Sequence, residues 1–370
     1  MRCTTCIMDT TDPWITFNEA GRCDHCVQVD KFKEKWKPEG DPDAYGRLMD
    51  RIKRDGRGQD YDVVIGLSGG VDSSYLVYQA KLVGLRALVI HVDTGWNSEL
   101  AVKNIENTVQ SCGFDLFTHV VDWEQMQDVQ YAFFSSGVPN QDIPQDHAIT
   151  AGFIRNATRH KVRWAFSGSN LACESILPQS WGYDNMDLRH IRDIHCRFGR
   201  RRLKSFPQLS YLENVLSYQL LRGLKVAKPL DFLPYSKAAA MATLEREVDW
   251  RYYGGKHYES RFTKFFQAWY LPSKWGYDKR LAHLSSLVVS GQMSRNAALS
   301  EFENGGLPTA ELQADKEYMA RKLGISTGEF EELMDAPKHP HSFYKQTPVW
   351  VKRLGAVLLG VKRRLTNEKV

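Results

Sequence analysis

Several features that would narrow the function of this 370-residue chain are missing. No apolar run approaches the ~20 residues needed to cross a bilayer. No basic stretch followed by an apolar core opens the chain, so a cytosolic location is expected. The formal charge is only +5, from 49 Lys+Arg against 44 Asp+Glu. That balance is too mild to demand a nucleic-acid partner, although it suits anionic nucleotide substrates. Internal repeats and low-complexity segments are absent, and with 42% hydrophobic residues the chain should bury two or three domain cores. Cysteine is scarce, at seven residues, and in a reducing compartment these should stay as thiols or bind metal. The GxxxxGK[ST] phosphate loop is also lacking.

What is there is organised around Tyr61–Ser74, YDVVIGLSGGVDSS. The run from Val63 to Leu67 has no polar alternation and reads as a strand buried on both faces of a parallel sheet. It ends in Ser68-Gly69-Gly70, which can turn tightly, and a helix with Leu76, Ala80 and Val83 on one face begins near Ser73. A strand, a glycine turn and a helix start together offer backbone N–H groups to an anion. Ser68, Ser73 and Ser74 add hydroxyl donors. A plain packing turn would explain two glycines but not the complete SGGxDS pattern, which matches the pyrophosphate loop of the N-type ATP pyrophosphatases.

Further strands are expected over 86–92, 116–121 and 162–167, with helices between them, giving a doubly wound α/β sheet. His91 and Asp93 close the second strand at the carboxyl edge of the sheet, within reach of adenosine, although Asp93 as an ordinary turn cap is a serious rival. A loop from Gly137 to Pro144 carries Asp142, with Asp146 just beyond it, and a helix is expected over 147–160. Ser167-Gly168-Ser169-Asn170-Leu171-Ala172-Cys173-Glu174 is a second small-residue turn after a strand. Gly168 and Asn170 would face the nucleotide, and Glu174, one helical turn on, could hold Mg2+ beside triphosphate. A plain helix-surface glutamate is the alternative.

At the N-terminus, Cys3, Cys6, Cys23 and Cys26 form CxxC–x16–CxxC around a short expected hairpin from Trp14 to Gly21. Two such pairs complete a tetrahedral, structural zinc site, with an iron–sulfur cluster as the competitor. Beyond them the chain becomes a charged connector. Phe32 and Trp36 share a helix face there, and Pro38-Glu39-Gly40-Asp41-Pro42 breaks the helix. Downstream, the stretch 256–267 is expected to be helical, with Phe262, Phe265 and Phe266 inward and Lys256 and Lys264 open to anions.

The CxxC pairs, the SGGVDSS loop, the GSNLACES turn and the block KHYESRFTKF…DKRLAHLSSLVVSGQMSR together resemble the N-acetyl sugar amidotransferases. These are PP-loop enzymes of bacterial surface-polysaccharide and flagellar sugar pathways, and the resemblance runs from about residue 1 to about 335. It implies a HUP-like doubly wound sheet over 56–230, preceded by a zinc ribbon and connector (1–55) and followed by a mostly helical region (231–370). It further implies ATP, Mg2+ and Zn2+ as cofactors and conversion of an acetamido group on a nucleotide-linked sugar to an acetamidino group. Adenylate transferred to the amide oxygen makes that oxygen a leaving group, which ammonia then displaces. Ser68, Gly69, Gly70, Ser73 and Ser74 would take pyrophosphate, with Asp72 and Glu174 on Mg2+. Lys256, Lys264 and Lys279 or Arg280 would stabilise the leaving group or the sugar nucleotide's diphosphate. No glutaminase arrangement is visible, so the resemblance implies a partner glutaminase and a cyclase-like barrel subunit as the ammonia source. No nucleic acid is expected. One departure is Cys173, where a hydroxyl residue is expected.

The strongest rival is a tRNA-thiolating enzyme of the same superfamily, using Cys112, Cys173 and Cys196 and the basic run Arg197–Lys204. The last stretch, Trp350–Leu365, reads as a basic amphipathic helix. Docking on the protein's own core or a partner is its ordinary explanation, and contact with an anionic membrane the sharper one.

Overall fold

The computed structural model describes residues 1–35, 41 and 43–365. Trp36 and, apart from Asp41, the expected break at residues 38–42 lie outside the described residues. Five strands form one all-parallel sheet: β1 (Val63–Gly66), β2 (Ala87–Asp93), β3 (Asp115–Val120), β4 (Trp164–Phe166) and β5 (Lys225–Ala227). Their order is β3-β2-β1-β4-β5, with Ile65 opposite Val89 on one side and Phe166 on the other. The chain thus winds outward in both directions from β1. The topological switch point lies between β1 and β4, where ligands of such sheets bind.

The helices are α1 (Asp24–Lys35), α2 (Ala44–Asp55), α3 (Val71–Leu82), α4 (Glu99–Cys112), α5 (Trp123–Ser136), α6 (Ile143–Arg159), α7 (Leu171–Glu174), α8 (Leu188–Phe198) and α9 (Lys237–Val248). After them come α10 (Lys279–Val289), α11 (Arg295–Asn304), α12 (Thr309–Leu323), α13 (Thr327–Asp335) and α14 (Val349–Leu365). Alternate side chains of the central strands serve two cores. Val64, Leu88 and Ile90 pack with α5, α6 and α8, whereas Val63, Ile65 and Val89 pack with α3, α4 and α9. Both faces are therefore covered, which is why β1 and β2 read as unbroken apolar runs. Residues 231–370 contribute to these same cores: Phe262, Phe265, Phe266 and Met319 fill the first, Leu244 and Trp250 the second.

Two expected boundaries move for identifiable reasons. The helix expected from residue 147 begins at Ile143, because Pro144 fits the first helical turn and Asp142 stands at the N-cap position. This places Asp146 one turn above Asp142. The helix expected over 256–267 is instead a turn up to Ser260, then helix over Arg261–Phe265, then a π-helix over Phe266–Trp275 that accommodates Pro272. Ser260 sets the start by accepting from the Thr263 N–H at 3.2 Å.

The four N-terminal cysteines are buried, and their sulfur atoms all lie within 4.8 Å of one another. Measured Sγ···Sγ edges of 3.9, 3.7 and 3.6 Å match the about 3.8 Å edge of a tetrahedron with Zn–S near 2.3 Å. A cluster, with irons and sulfides between the thiolates, would need wider spacing. Amides of Thr5 and Cys23 donate to Cys3 Sγ at 3.3 and 3.2 Å, as in a metal knuckle. Hydrogen bonds with Cys23 and Cys26 pull Cys6 down to about 4, while those with Cys23 and Cys6 push Cys26 up. A dication is what would let all four ionise together. The donor set therefore fits a single structural Zn2+.

The ribbon packs on α10 and α11 through Ile7, Met8 and Leu281. The Ile7 N–H donates to Ser285 Oγ at 3.2 Å, and Arg295 donates to the Cys3 and Cys6 carbonyls at 2.9 and 3.0 Å. Among the described residues, no helix is long and apolar enough to cross a membrane. Purified protein should carry a single zinc ion by native mass spectrometry, and Cys6→Ser should lose it. Chelation should then raise hydrogen exchange across α10 before the central sheet is affected. Exchange of α10 unchanged on metal loss would contradict this coupling.

Candidate active site

The Ser68–Ser73 loop is shaped from behind. Gly69 has φ +82°, and a Cβ there would sit 2.5 Å from the Ala101 carbonyl oxygen. Its own carbonyl accepts from the Trp250 indole N–H at 2.9 Å and from the Asn104 amide at 3.4 Å. Gly70 occupies the N-cap of α3 and no side chain caps that helix. The first amides of α3 are thus open to an anion, except that Val71 N–H donates to Tyr253 Oη at 3.2 Å. Ser73 Oγ lies 3.2 Å from Ser68 Oγ and donates to the Gly70 carbonyl at 3.1 Å, so the two hydroxyls meet inside the turn. Ser74 is fully buried, and its hydroxyl finds no partner among the described residues. Neither Ser74 nor Gly69 lines the cavity over the loop.

A cavity of about 290 Å³ opens over the loop, lined by Ser68, Gly70, Asp72, Ser73, Gly168 and Glu174, with Lys256, His257 and Glu259 opposite. Lys256 Nζ stands 2.9 Å from Glu174 Oε1 and donates to the Cys173 carbonyl at 3.3 Å. Burial alone would raise Glu174, but Lys256 and His257 hold it below the usual carboxylate range. Burial likewise opposes charge on Lys256, yet Glu174 and Asp72 keep its ammonium above the ordinary lysine value. Asp72 is pushed up by burial. Its carboxylate accepts from the Tyr235 hydroxyl and from Asn170 Nδ2 at 3.2 Å. Asn170 also caps α7 through the Cys173 N–H at 2.9 Å, so it positions Asp72 and Glu174 and does not itself line the cavity. Two carboxylates beside an open phosphate loop fit a Mg2+ that keeps most of its ligands from phosphate and water.

A second cavity of about 530 Å³ lies outside the carboxyl ends of β1, β2 and β4. It shares Ser68, Ser73, Gly168, His257 and Glu259 with the first. Ile90, Phe153 and Phe166 give it an apolar wall suited to a flat base. His91 borders it, donating from Nδ1 to the Leu67 carbonyl at 2.8 Å and accepting from Asn97 Nδ2 at 3.0 Å. Asp93 does not border it. Its carboxylate accepts from the Gly95 N–H at 2.8 Å and from Asn97 at 3.1 Å, the geometry of the turn-cap reading.

Across this cavity stand Asp142 and Asp146. Asp142 accepts from the Thr263 hydroxyl at 3.0 Å and from Gln145 Nε2 at 3.4 Å. Burial pushes Asp146 up to about 7, Asp142 adds to the shift, and Lys279 and His257 oppose it. Asp142 is itself pushed up, again chiefly by burial.

A third chamber, of about 660 Å³, joins the first at Lys237 and Lys256 and the second at Gln267 and Lys279. Tyr252, Tyr253 and Tyr258 line it together with Arg261, Lys264 and Arg280. Lys264 and Arg280 are thereby separated from the phosphate loop. Lys264 Nζ pairs with Asp315 at 2.8 Å and with Glu311. Arg280 pairs with Asp278 at 2.6 Å and lies 4.9 Å over the Phe302 ring. Of the two alternatives Lys279 and Arg280, only Lys279 reaches the junction of chambers.

Lys237, Tyr235, Tyr253, His257 and Glu259 were not expected at the site. The signal for the last two was the Gly254-Gly255 pair, which breaks the helical register across KHYES. The remaining cysteines are scattered: Cys112 is buried at the end of α4, Cys196 is exposed on α8, and burial pushes the Cys173 thiol up to about 12. The basic run after α8 is partly spent internally, with Arg200 3.5 Å over the Tyr131 ring and Arg201 paired to Glu124. Neither arrangement favours thiolation of tRNA.

Residues 259–356 match the family model of the WbpG-like C-terminal domain, described as an LPS biosynthesis protein. The match begins at Glu259 and takes in Lys264, Lys279 and Arg280. No curated protein matches the chain. Among solved structures, NMN synthetase from Francisella tularensis is similar at 14% identity, covering 81% of this chain and 98% of that one, with a TM-score of 0.35. An NH3-dependent NAD synthetase from Campylobacter jejuni subsp. jejuni is similar at 14% identity over 55% of this chain and 92% of its own, with a TM-score of 0.29.

Asp146 holds its proton more tightly folded than unfolded, so the native state loses stability as pH rises from 3.8 toward about 7. Asp146→Asn removes that loss. It should gain roughly 1–3 kcal/mol over the parent at pH 8 and little at pH 4, measured by urea unfolding. An equal gain at both pH values would contradict the assignment.

Proposed function

We propose that this chain is an ATP-dependent amidotransferase, forming AMP and pyrophosphate. It would convert the acetamido group of a nucleotide-linked sugar to an acetamidino group in LPS O-antigen or related surface-glycan synthesis, in the cytoplasm. The observation that carries this reading is the meeting of three chambers at Lys256–Glu259 and Lys279. One is a phosphate loop, one an apolar nucleoside cleft, and one a basic, tyrosine-lined pocket large enough for a second nucleotide-sized substrate.

In this reading the open amides of α3 and the Ser68 and Ser73 hydroxyls hold the outgoing pyrophosphate, and Asp72 and Glu174 would hold a Mg2+ that offsets phosphate charge. Lys256 moves its charge from Glu174 to the departing phosphates. The sugar nucleotide fills the third chamber, its diphosphate toward Arg261, Lys264 and Lys279. The acetamido oxygen then attacks the α-phosphorus, and the pyrophosphate bond breaks. Ammonia from a partner glutaminase, delivered through a barrel subunit, forms the C–N bond as the C–O bond to AMP breaks. When nitrogen arrives as ammonium, the Asp142–Asp146 pair is the group placed to take its proton.

Incubation with ATP, ammonium and N-acetylated sugar nucleotides should release AMP and pyrophosphate and yield a product about one mass unit lighter (O replaced by NH). Lys256→Ala should lower kcat by about 10²-fold or more. Release of ADP, or no sugar-dependent turnover across the panel, would overturn the reading.

A further inference from the structure

We propose that α14 docks this protein on an anionic membrane surface. The helix is firmly seated by one face. Val351 is buried, the Tyr211 hydroxyl donates to the Lys352 carbonyl at 3.2 Å, and Lys352 Nζ pairs with Asp184 at 2.6 Å. Gly355 lies so close to Tyr211 that a Cβ would meet its ring at 2.6 Å. Outside that seat the helix carries Trp350, Leu354, Val357 and Val361, which are 65%, 45%, 60% and 49% exposed. Their spacing of four, three and four residues makes a single stripe along the helix. Leu216 and Leu221, on the π-helix Asn214–Leu221 against which α14 packs, are exposed as well.

Charge decides what covers this stripe. In sequence, helix α14 carries Lys352, Arg353, Lys362, Arg363 and Arg364 and no acidic residue, with Lys352 engaged by Asp184 and Lys362 by the Gln219 carbonyl. An apolar stripe on a helix of net positive charge, with an aromatic ring near one end, is complementary to acyl chains beneath anionic headgroups. The helix is too polar and too short in its apolar run to span the bilayer, so it would lie in the surface plane. None of its residues lines any of the three chambers, so membrane attachment leaves the site open and is independent of the reaction proposed above.

Sedimentation with vesicles tests this. The full chain should bind vesicles of phosphatidylglycerol and phosphatidylcholine, release with added salt, and bind phosphatidylcholine alone at least tenfold more weakly. The double variant Leu354→Glu/Val357→Glu, altered only at exposed positions, should lose at least tenfold in binding to the anionic vesicles. Its circular dichroism and thermal transition should not change. Equal binding to both vesicle types, or undiminished binding of the variant, would overturn the proposal. So would concentration-dependent self-association that the same variant abolishes, which would assign the stripe to a second copy of the chain.

Discussion

The segment Gly254–Ser260 rests on one buried ion pair, Lys256 to Glu174 at 2.9 Å. Such a pair contributes little net stability, because both ions lose water, but removing one partner strands the other at a cost of about 3–5 kcal/mol. Its value is therefore positional. On one side it fixes Lys256 beside α7. On the other, the Ser98 N–H donates to the Glu259 carbonyl at 2.8 Å and the Arg261 N–H to the Trp96 carbonyl at 2.9 Å. Held at both edges, the segment roofs the phosphate loop. His257 is kept at φ +64°, a left-handed conformation that a non-glycine residue seldom adopts without compensation. The ring stands 3.9 Å from Glu174 and 3.7 Å from Glu259, so the two carboxylates supply that compensation.

The zinc ribbon bears on the same chemistry from a distance. It grips α10 through Ser285 and α11 through Arg295, and α10 carries Lys279, Arg280 and His283 on its chamber-facing side. Ser286 on the same helix accepts from the Ile176 N–H at 3.0 Å, just beyond α7. Metal, α10 and α7 are thus consecutive links of one packed chain. A small N-terminal segment with little apolar content can support that chain only if its four thiolates are cross-linked by an ion.

The sheet, its parallel strands and the phosphate loop were legible because they are local. Unbroken apolar runs specify buried strands, and Gly69 and Gly70 announce the turn. The four cysteines were legible by spacing alone. The site's roof was not. Lys256 was expected on a helix face, but Gly254-Gly255 and the Ser260 cap delay the helix until Arg261. Asp93 was ambiguous because a carboxylate at a strand end looks the same whether it meets ligand or its own turn. Asp142 and Asp146 were visible as residues but not as a pair. Only the early start of α6 at Ile143 sets them one turn apart, and only Thr263, Gln267 and Lys279, more than a hundred residues on, enclose them.

That enclosure creates a division within one continuous space. Glu174 and Glu259 are buried, yet cations hold both below the usual carboxylate range. Asp142 and Asp146 are buried with the same Lys279 and His257 nearby, yet both are pushed up. The difference is arrangement. Lys256 touches Glu174 directly, whereas at the two aspartates burial outweighs Lys279 and His257, and Asp142 adds to the shift of Asp146. Groups whose environments drive their proton affinities apart mark an acid–base assignment. The phosphate side is set to stay ionised and manage charge, and the side beyond the nucleoside cleft is set to exchange a proton near neutrality. The reaction proposed above, which would first expel pyrophosphate and then admit an amine, would use both in that spatial order.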